Sequence, residues 1–163
     1  MNTNSRPQVP SSAPPLLHRA GQIADELFTL KTGGSDLTPR QFEVLRAISM
    51  SEEPSQTVLV EMTGIDRSTL ADIVRRLVDR GLVSRKRTRH DARMYALRLS
   101  EKGEAAIRAA TPAVEQTDEA LLSPLAQRDR EAFLKGLERV VEEYSSRQAG
   151  DPQAQQQPSP PQQ

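Results

Sequence analysis

The chain has no cysteine and no tryptophan, and only 3% of its 163 residues are aromatic. The absence of cysteine excludes disulfides, thiol redox switches and cysteine-ligated metals. The two histidines lie far apart in the sequence, so a histidine-rich zinc site is not expected. Long apolar runs and a signal-peptide hydrophobic segment are also missing. We therefore expect a cytoplasmic protein with no membrane partner and no cofactor.

Net charge is absent as well, because 22 basic side chains balance 22 acidic ones. The charges are unevenly distributed, however. Residues 67–98 hold ten basic and three acidic side chains, a net charge of +7. The flanking segments 1–66 and 99–163 carry net charges of −3 and −4. This asymmetry indicates a polyanionic partner that binds the central block alone.

The two ends of the chain differ in composition from its middle. Eight of the twelve prolines lie within 1–15 and 148–163, which are otherwise rich in serine or glutamine and poor in apolar residues. Such segments cannot offset their ordering entropy by burial, so we predict disordered tails there. The body at 16–147 is expected to fold as a single domain, with a core of aliphatic side chains that favours helices.

Within the body, the spacing of apolar residues predicts a series of helices. The first covers about 16–31, and Thr38 with Gln41 forms a capping box that starts the second. Ser55 and Asp66 are predicted N-caps of the next two helices, and Gly81 ends the helix at 67–80. Two further helices follow Ser100, and we expect Pro112 to disturb the middle of the first of them.

Between Gly81 and Ser100 the spacing of apolar residues changes from the period of a helix to the alternation of a strand. Residues 82–87 and 94–100 flank a polar turn, and Tyr95, Leu97 and Leu99 alternate with the residues between them, as in a half-buried strand. Two helices joined by a glycine-containing turn and followed by a basic hairpin are typical of a winged helix-turn-helix. The predicted fold is therefore mainly α with a small β-hairpin wing, and the winged unit spans about 38–99.

The polar face of the helix at 67–80 carries the first candidate DNA contacts. Arg67 at the helix start can hold a phosphate, and Ser68 or Thr69 can bond to a base or a phosphate. Arg75 can pair with guanine through two hydrogen bonds. Asp72 has two interpretations, either accepting from cytosine or pairing with arginines on its own helix. A purely solvated surface is the alternative for the whole face.

The hairpin carries the second set. Arg85, Lys86 and Arg87 on its first strand are either solvated or in contact with phosphates, which raises affinity without reading sequence. The loop and its far edge hold Arg89, His90, Asp91 and Arg93. An arginine here can enter a narrow minor groove, and Asp91 can hold Arg93 extended for that purpose.

These segments resemble the MarR family of bacterial transcriptional regulators, continuously from about Leu37 to Gly103. The motifs that carry the resemblance are "TGIDRSTL", the "RGLV" that follows the helix, and Asp91-x-Arg93 before "LSEKG". The resemblance implies an obligate homodimer, with dimerisation helices at about 16–31 and 100–146, on a pseudo-palindromic double-stranded DNA operator. It implies base reading by residues 67–75, and a minor-groove role for Arg93 with Asp91 orienting it.

The resemblance also implies a small-molecule effector, because many relatives bind a phenolic or other aromatic acid between the dimerisation helices and the winged domain. His18 and Arg19 are candidates for an anion site near Phe28 or Phe42, and the alternative places them at the surface or the dimer rim. We therefore expect a ligand-released repressor rather than an enzyme. A winged-helix protein-interaction or architectural module without operator specificity is the alternative.

Overall fold

The structure, a computed structural model, describes residues 12–33, 36–87 and 95–150, the last five by backbone alone. Within these ranges the chain forms six helices and two strands. In chain order they are α1 (Ala13–Lys31), α2 (Pro39–Ser49), α3 (Gln56–Thr63), α4 (Arg67–Asp79), β1 (Val83–Arg87), β2 (Tyr95–Leu99), α5 (Glu101–Leu122) and α6 (Gln127–Gly150). The predicted mainly helical class with a β-hairpin is confirmed.

The predicted caps set the boundaries of the central helices. The Thr38 hydroxyl accepts from the Gln41 backbone N–H at 3.2 Å, and the Gln41 side chain accepts from the Thr38 N–H at 3.3 Å. Ser55 and Asp66 cap α3 and α4 in the same way, through bonds of 3.3 and 3.0 Å. Gly81 follows α4 in the left-handed region, with φ of 70°. Each cap satisfies a backbone group that the helix itself leaves unpaired.

The core is formed where α2, α3 and α4 meet the hairpin. Its most deeply buried large side chains are aliphatic: Val44, Leu45, Leu59, Leu70, Val74 and Leu77. Three of these lie at i, i+4 and i+7 on α4, as its predicted apolar stripe requires. Because one face of α4 is buried in this way, the opposite face lies at the surface.

The hairpin pairs β1 with β2 in antiparallel register, Val83 opposite Leu99 and Arg87 opposite Tyr95. The predicted alternation is wrong at its outer end, since Tyr95 is exposed whereas Ala96 and Leu97 are both buried. Neighbouring residues of a strand point to opposite faces. Both faces of β2 are therefore covered at Ala96 and Leu97, and the exposed Tyr95 lies nearer the hairpin tip.

Two predicted helix boundaries differ from the structure. Helix α1 begins at Ala13 and not at 16. The prolines at 14 and 15 are accommodated because they lie in the first turn, where backbone N–H groups have no partner within the helix. Helix α6 extends to Gly150, beyond the predicted end at about 146. Helix α5 continues through Pro112, although we expected a disturbance there. Burial of Ala110 and Ala113 on either side supports the helix at that point.

The chain divides into two compact units at Leu121 and Leu122. The first contains the winged unit together with α1 and nearly all of α5, and the second contains α6. The predicted single domain at 16–147 spans both. None of the helices in the described ranges is long and apolar enough to cross a membrane.

Candidate nucleic-acid interface

The exposed face of α4 presents all five residues predicted to contact DNA from this helix. Arg67, Ser68 and Thr69 lie in the first turn, and Asp72 and Arg75 follow on the same exposed side. The turn before the helix depends on Gly64, whose φ of 65° is a left-handed conformation that favours glycine. The structure thus brings these five side chains to one surface.

Hydrogen bonds to the N-cap order the first turn of α4. One carboxylate oxygen of Asp66 accepts from the Thr69 backbone N–H at 3.0 Å and from the Ser68 hydroxyl at 2.6 Å. The bond from Ser68 is the largest of the effects that hold the Asp66 pKa far below its ordinary value of 3.8. Arg67 donates to the Thr57 hydroxyl of α3 at 3.5 Å. The start of α4 is therefore already ordered in the free protein.

Asp72 lies between two arginines of its own helix. Its Oδ1 accepts from Arg75 Nη2 at 2.9 Å, and its Oδ2 lies 3.5 Å from Arg76 Nη2. The hydrogen bond from Arg75 lowers the pKa of Asp72 and raises that of Arg75. Asp79 adds a second carboxylate at 3.9 Å from Arg75. Of the two interpretations of Asp72, the structure thus shows the intrahelical pairing.

The hairpin presents a different kind of surface. Arg85, Lys86 and Arg87 are exposed along β1, and none of the three forms an ion pair with another described residue. No carboxylate of the described residues is therefore paired with these three cations. The loop residues Arg89, His90, Asp91 and Arg93 lie outside the described residues.

Two contacts from the loop before α3 anchor the hairpin. The Leu97 backbone N–H donates to the Pro54 carbonyl oxygen at 3.0 Å, and the Arg98 guanidinium donates to the Glu53 carboxylate. Glu53 has φ of 54°, an uncommon left-handed conformation for a residue with a side chain. Sequence reasoning missed this pair, since 45 residues separate its members and neither belongs to a recognisable motif.

A cavity of about 500 Å³ lies among the C-terminal ends of α1 and α4 and residues 102–116 of α5. Its charged lining consists of Lys31, Arg80, Lys102 and one carboxylate, Asp36. Alanine and leucine side chains form much of the remaining wall. The cavity thus combines an apolar body with an excess of positive charge, which is the chemistry that an organic anion requires.

Arg80 and Lys102 link the C-terminal end of α4 to neighbouring segments of the chain. Arg80, the C-cap residue, donates to the Asp36 carbonyl oxygen at 2.7 Å and to Gln41 Oε1 at 3.1 Å. Lys102 Nζ donates to the Arg80 carbonyl oxygen at 3.0 Å. Sequence reasoning did not single out these two residues, because long-range packing and not a local motif brings them together.

The four predicted ligand residues fall into two groups. His18 and Arg19 are exposed on α1, where Arg19 donates to Gln22 at 3.1 Å and lies 3.9 Å from Glu26. Phe28 and Phe42 are buried, with ring centroids 5.9 Å apart. None of the four lines the cavity described above. Their role in ligand binding stays a prediction.

Comparison with known proteins places this geometry in a family. The profile of the MarR family matches residues 35–94. The transcriptional regulator HosA of Escherichia coli is 32% identical over 106 residues, which cover 65% of this chain and 78% of HosA. This relative is a transcriptional regulator, the class of protein that we expected.

Solved structures agree with that assignment. BpsR of Bordetella bronchiseptica, whose DNA binding is regulated by 6-hydroxynicotinic acid, superposes with a TM-score of 0.75 at 28% identity, covering 80% of this chain and 93% of its own. The transcriptional repressor CouR, bound to a 23-mer DNA duplex, superposes with a TM-score of 0.70 at 30% identity, covering 77% and 89%. The chain therefore belongs to the MarR family of transcriptional regulators.

Proposed function

We propose that the protein is a dimeric repressor that binds a pseudo-palindromic DNA operator in the cytoplasm and is released by a small organic acid. The observation that carries the proposal is the exposed face of α4 beside a row of cations on β1 that have no ion-pair partner among the described residues. An α-helix of this size fits the major groove, and a basic hairpin beside it can follow the adjacent backbone. The likeness to CouR, a repressor bound to a DNA duplex, supports the same function.

Each of the predicted DNA contacts keeps its proposed role. Arg67, Ser68 and Thr69 bind phosphates or base edges at the helix start, while Arg75 reads guanine. Lys86 neutralises phosphate from β1. The wing tip, through Arg89 and Arg93 with Asp91 holding Arg93, enters the minor groove.

Exposed apolar side chains on two helices support the dimer. On α1 they are Leu16, Leu17, Ile23 and Leu30, and on α6 they are Phe133, Leu134, Val140, Val141 and Tyr144. A soluble monomer rarely exposes this many large apolar groups, so an interface between two copies is their proposed use. Two copies related by a twofold axis require an operator with the same symmetry.

The effector is proposed to bind in the cavity lined by Lys31, Arg80 and Lys102. A carboxylate that bonds to Arg80 or Lys102 competes with the contacts these side chains make at the end of α4. Binding would thereby shift α4 and weaken DNA binding. The likeness to BpsR, which responds to 6-hydroxynicotinic acid, supports an aromatic acid as the ligand class.

Selection from random duplexes tests the operator proposal. We expect a palindromic consensus bound by a dimer, as measured by sedimentation of the complex. Arg75→Ala should remove the preference for the consensus. Arg108→Ala is the matched control, because this exposed arginine also pairs with a carboxylate of its own helix, Glu104 at 3.6 Å. Recovery of no consensus would contradict the proposal and favour a protein-interaction or architectural module.

A thermal-shift panel tests the effector proposal. Aromatic carboxylates should raise the melting temperature and release the operator, whereas the primary amides of the same acids should do neither, since they lack the charge that the cavity cations bind. Equal shifts by acid and amide would contradict the charge argument.

A further inference from the structure

The charges of α4 balance, although a DNA-binding helix ordinarily carries an excess of cations. Counted with its N-cap, α4 contains three arginines and three aspartates: Arg67, Arg75, Arg76, Asp66, Asp72 and Asp79. Asp66 is occupied by its capping bonds. The other two carboxylates lie beside arginines of the exposed face. A carboxylate on the face turned to DNA is repelled by every phosphate that it approaches.

Fold stability does not account for Asp72. Its side chain and that of Arg75 are 53% and 58% exposed, and ion pairs this open to solvent contribute little to folding. Asp72 is also not a cap, because it lies in the middle of the helix. Its contacts are instead with two arginines that otherwise could bind phosphates, Arg75 at 2.9 Å and Arg76 at 3.5 Å.

We propose that Asp72 is a specificity-determining residue that weakens binding to non-operator DNA more than binding to the operator. The inference rests on the proposed operator function. On an arbitrary sequence, Asp72 is repelled by phosphates and keeps both arginines from contacting the backbone. On the operator, Arg75 reaches guanine while still held by Asp72, and a cytosine amino group can donate to the second carboxylate oxygen. The repulsion is thus offset at the correct bases alone.

The difference between Asp72 and Asp79 provides a matched control within one helix. Both are aspartates of α4, and replacing either by asparagine changes the charge equally. Asp72 contacts two arginines, one of them at 2.9 Å, whereas Asp79 approaches Arg75 at 3.9 Å. If only the overall charge matters, Asp72→Asn and Asp79→Asn should therefore change DNA binding equally. If release of the arginines matters, the change should come mainly from Asp72→Asn.

The experiment measures the affinity of wild type, Asp72→Asn and Asp79→Asn for the selected operator and for a scrambled duplex of the same composition. Asp72→Asn should bind the scrambled duplex about three- to tenfold more tightly, as Coulomb repulsion over roughly 6 Å predicts for an exposed charge at an effective dielectric constant of about 40–80. Affinity for the operator should stay the same or fall. The salt slope on the scrambled duplex should steepen by about 0.9 for each arginine released to a phosphate.

Two results would overturn the proposal, and a different one would overturn the operator function on which it rests. An equal gain on both duplexes, or the same change from Asp79→Asn as from Asp72→Asn, would overturn the proposed role of Asp72 in favour of a general charge effect. Unchanged thermal unfolding of both variants is expected, since neither pair stabilises the fold appreciably. If wild type itself fails to distinguish operator from scrambled DNA, the proposed operator function fails instead, which separates the two ideas.

Discussion

Helix α4 and strand β1 are both exposed and both rich in arginine, but their charges are arranged in opposite ways. Every arginine within α4 has a described partner: Arg67 bonds to Thr57, while Arg75 and Arg76 pair with Asp72. The three cations of β1 have no ion-pair partner among the described residues. Within the described part of the chain, α4 together with its N-cap Asp66 is neutral, whereas the strand carries three cations without an ion-pair partner.

This difference implies a division of roles on DNA. Uncompensated cations bind phosphates of any sequence and produce a steep salt dependence. Arginines held by carboxylates lose less side-chain freedom on binding, but gain less from phosphates alone. We infer that the hairpin contributes most of the sequence-independent affinity and that α4 discriminates between bases. The following variants perturb one region or both, starting with the largest expected effect.

Gly103→Ala should disturb both regions, because Gly103 packs against the junction between them. A Cβ at this position would overlap the carbonyl oxygen of Leu82, which lies between α4 and β1, and would lie 3.3 Å from Leu99 Cδ2. We expect a loss of about 1–3 kcal/mol in the free energy of unfolding, measured by chemical denaturation. Gly136→Ala is the control. No described atom lies within 4 Å of its Cβ, so it should gain about 0.5–1 kcal/mol as a helical glycine replaced by alanine. The same change in the free energy of unfolding from Gly103→Ala and from Gly136→Ala would contradict the packing argument.

Arg93→Ala should weaken operator binding by about 1–3 kcal/mol without changing the fold. Its proposed place is the minor groove, so the loss should be largest on operators with A·T-rich flanks, whose groove is narrow. Asp91→Ala should give a milder loss of the same sign, although it removes a negative charge. Tighter binding by Asp91→Ala would reduce the wing tip to a nonspecific basic patch.

Arg98→Ala should weaken operator binding modestly by releasing the base of the hairpin from Glu53. A partly exposed ion pair contributes up to about 1 kcal/mol, so the loss should be at most about fivefold in affinity. Arg108→Ala, which breaks an ion pair of α5, should leave the affinity unchanged. An equal loss from both variants would mean that the Arg98 contact with Glu53 does not position the wing.

Asp66→Asn should have the smallest effect, a change in how stability depends on pH. Hydrogen bonds from Ser68 and Thr69 lower the pKa of Asp66 in the folded protein, so the ionised cap stabilises the fold above its ordinary pKa of 3.8 and this contribution is lost as the pH falls further. The melting temperature of wild type should exceed that of Asp66→Asn at pH 5–7. The difference should shrink in more acidic buffers, and a difference that grows there would contradict the assignment.

Local signals allowed much of this architecture to be predicted from the sequence. The capping box of Thr38 and Gln41, the cap at Asp66 and the turn at Gly81 depend on residues within three or four positions of one another. The apolar stripe of α4 has the period of the helix itself. These signals placed the exposed face of α4, and with it Arg67 to Arg75, correctly.

The features that were missed depend on long-range packing. The contact of Arg98 with Glu53 and the bonds of Arg80 to Asp36 and Gln41 join residues about 40 positions apart. Strand alternation failed at Ala96 because both faces of β2 are covered there, which no single-strand pattern reveals. Helix α5 runs through Pro112, and Ala110 and Ala113 on either side of it are buried.

The division of roles between hairpin and helix can be decided by the salt dependence of two variants, Lys86→Ala and Arg75→Ala, on operator and scrambled duplexes. Lys86→Ala should weaken binding to both duplexes about equally, and it should reduce the salt slope by about 0.9 for each phosphate that is no longer neutralised. Arg75→Ala should leave affinity and slope on the scrambled duplex nearly unchanged while removing most of the preference for the operator. The opposite result would contradict the division between hairpin and helix. In that case Arg75→Ala would weaken binding to both duplexes equally, and Lys86→Ala would reduce only the preference for the operator.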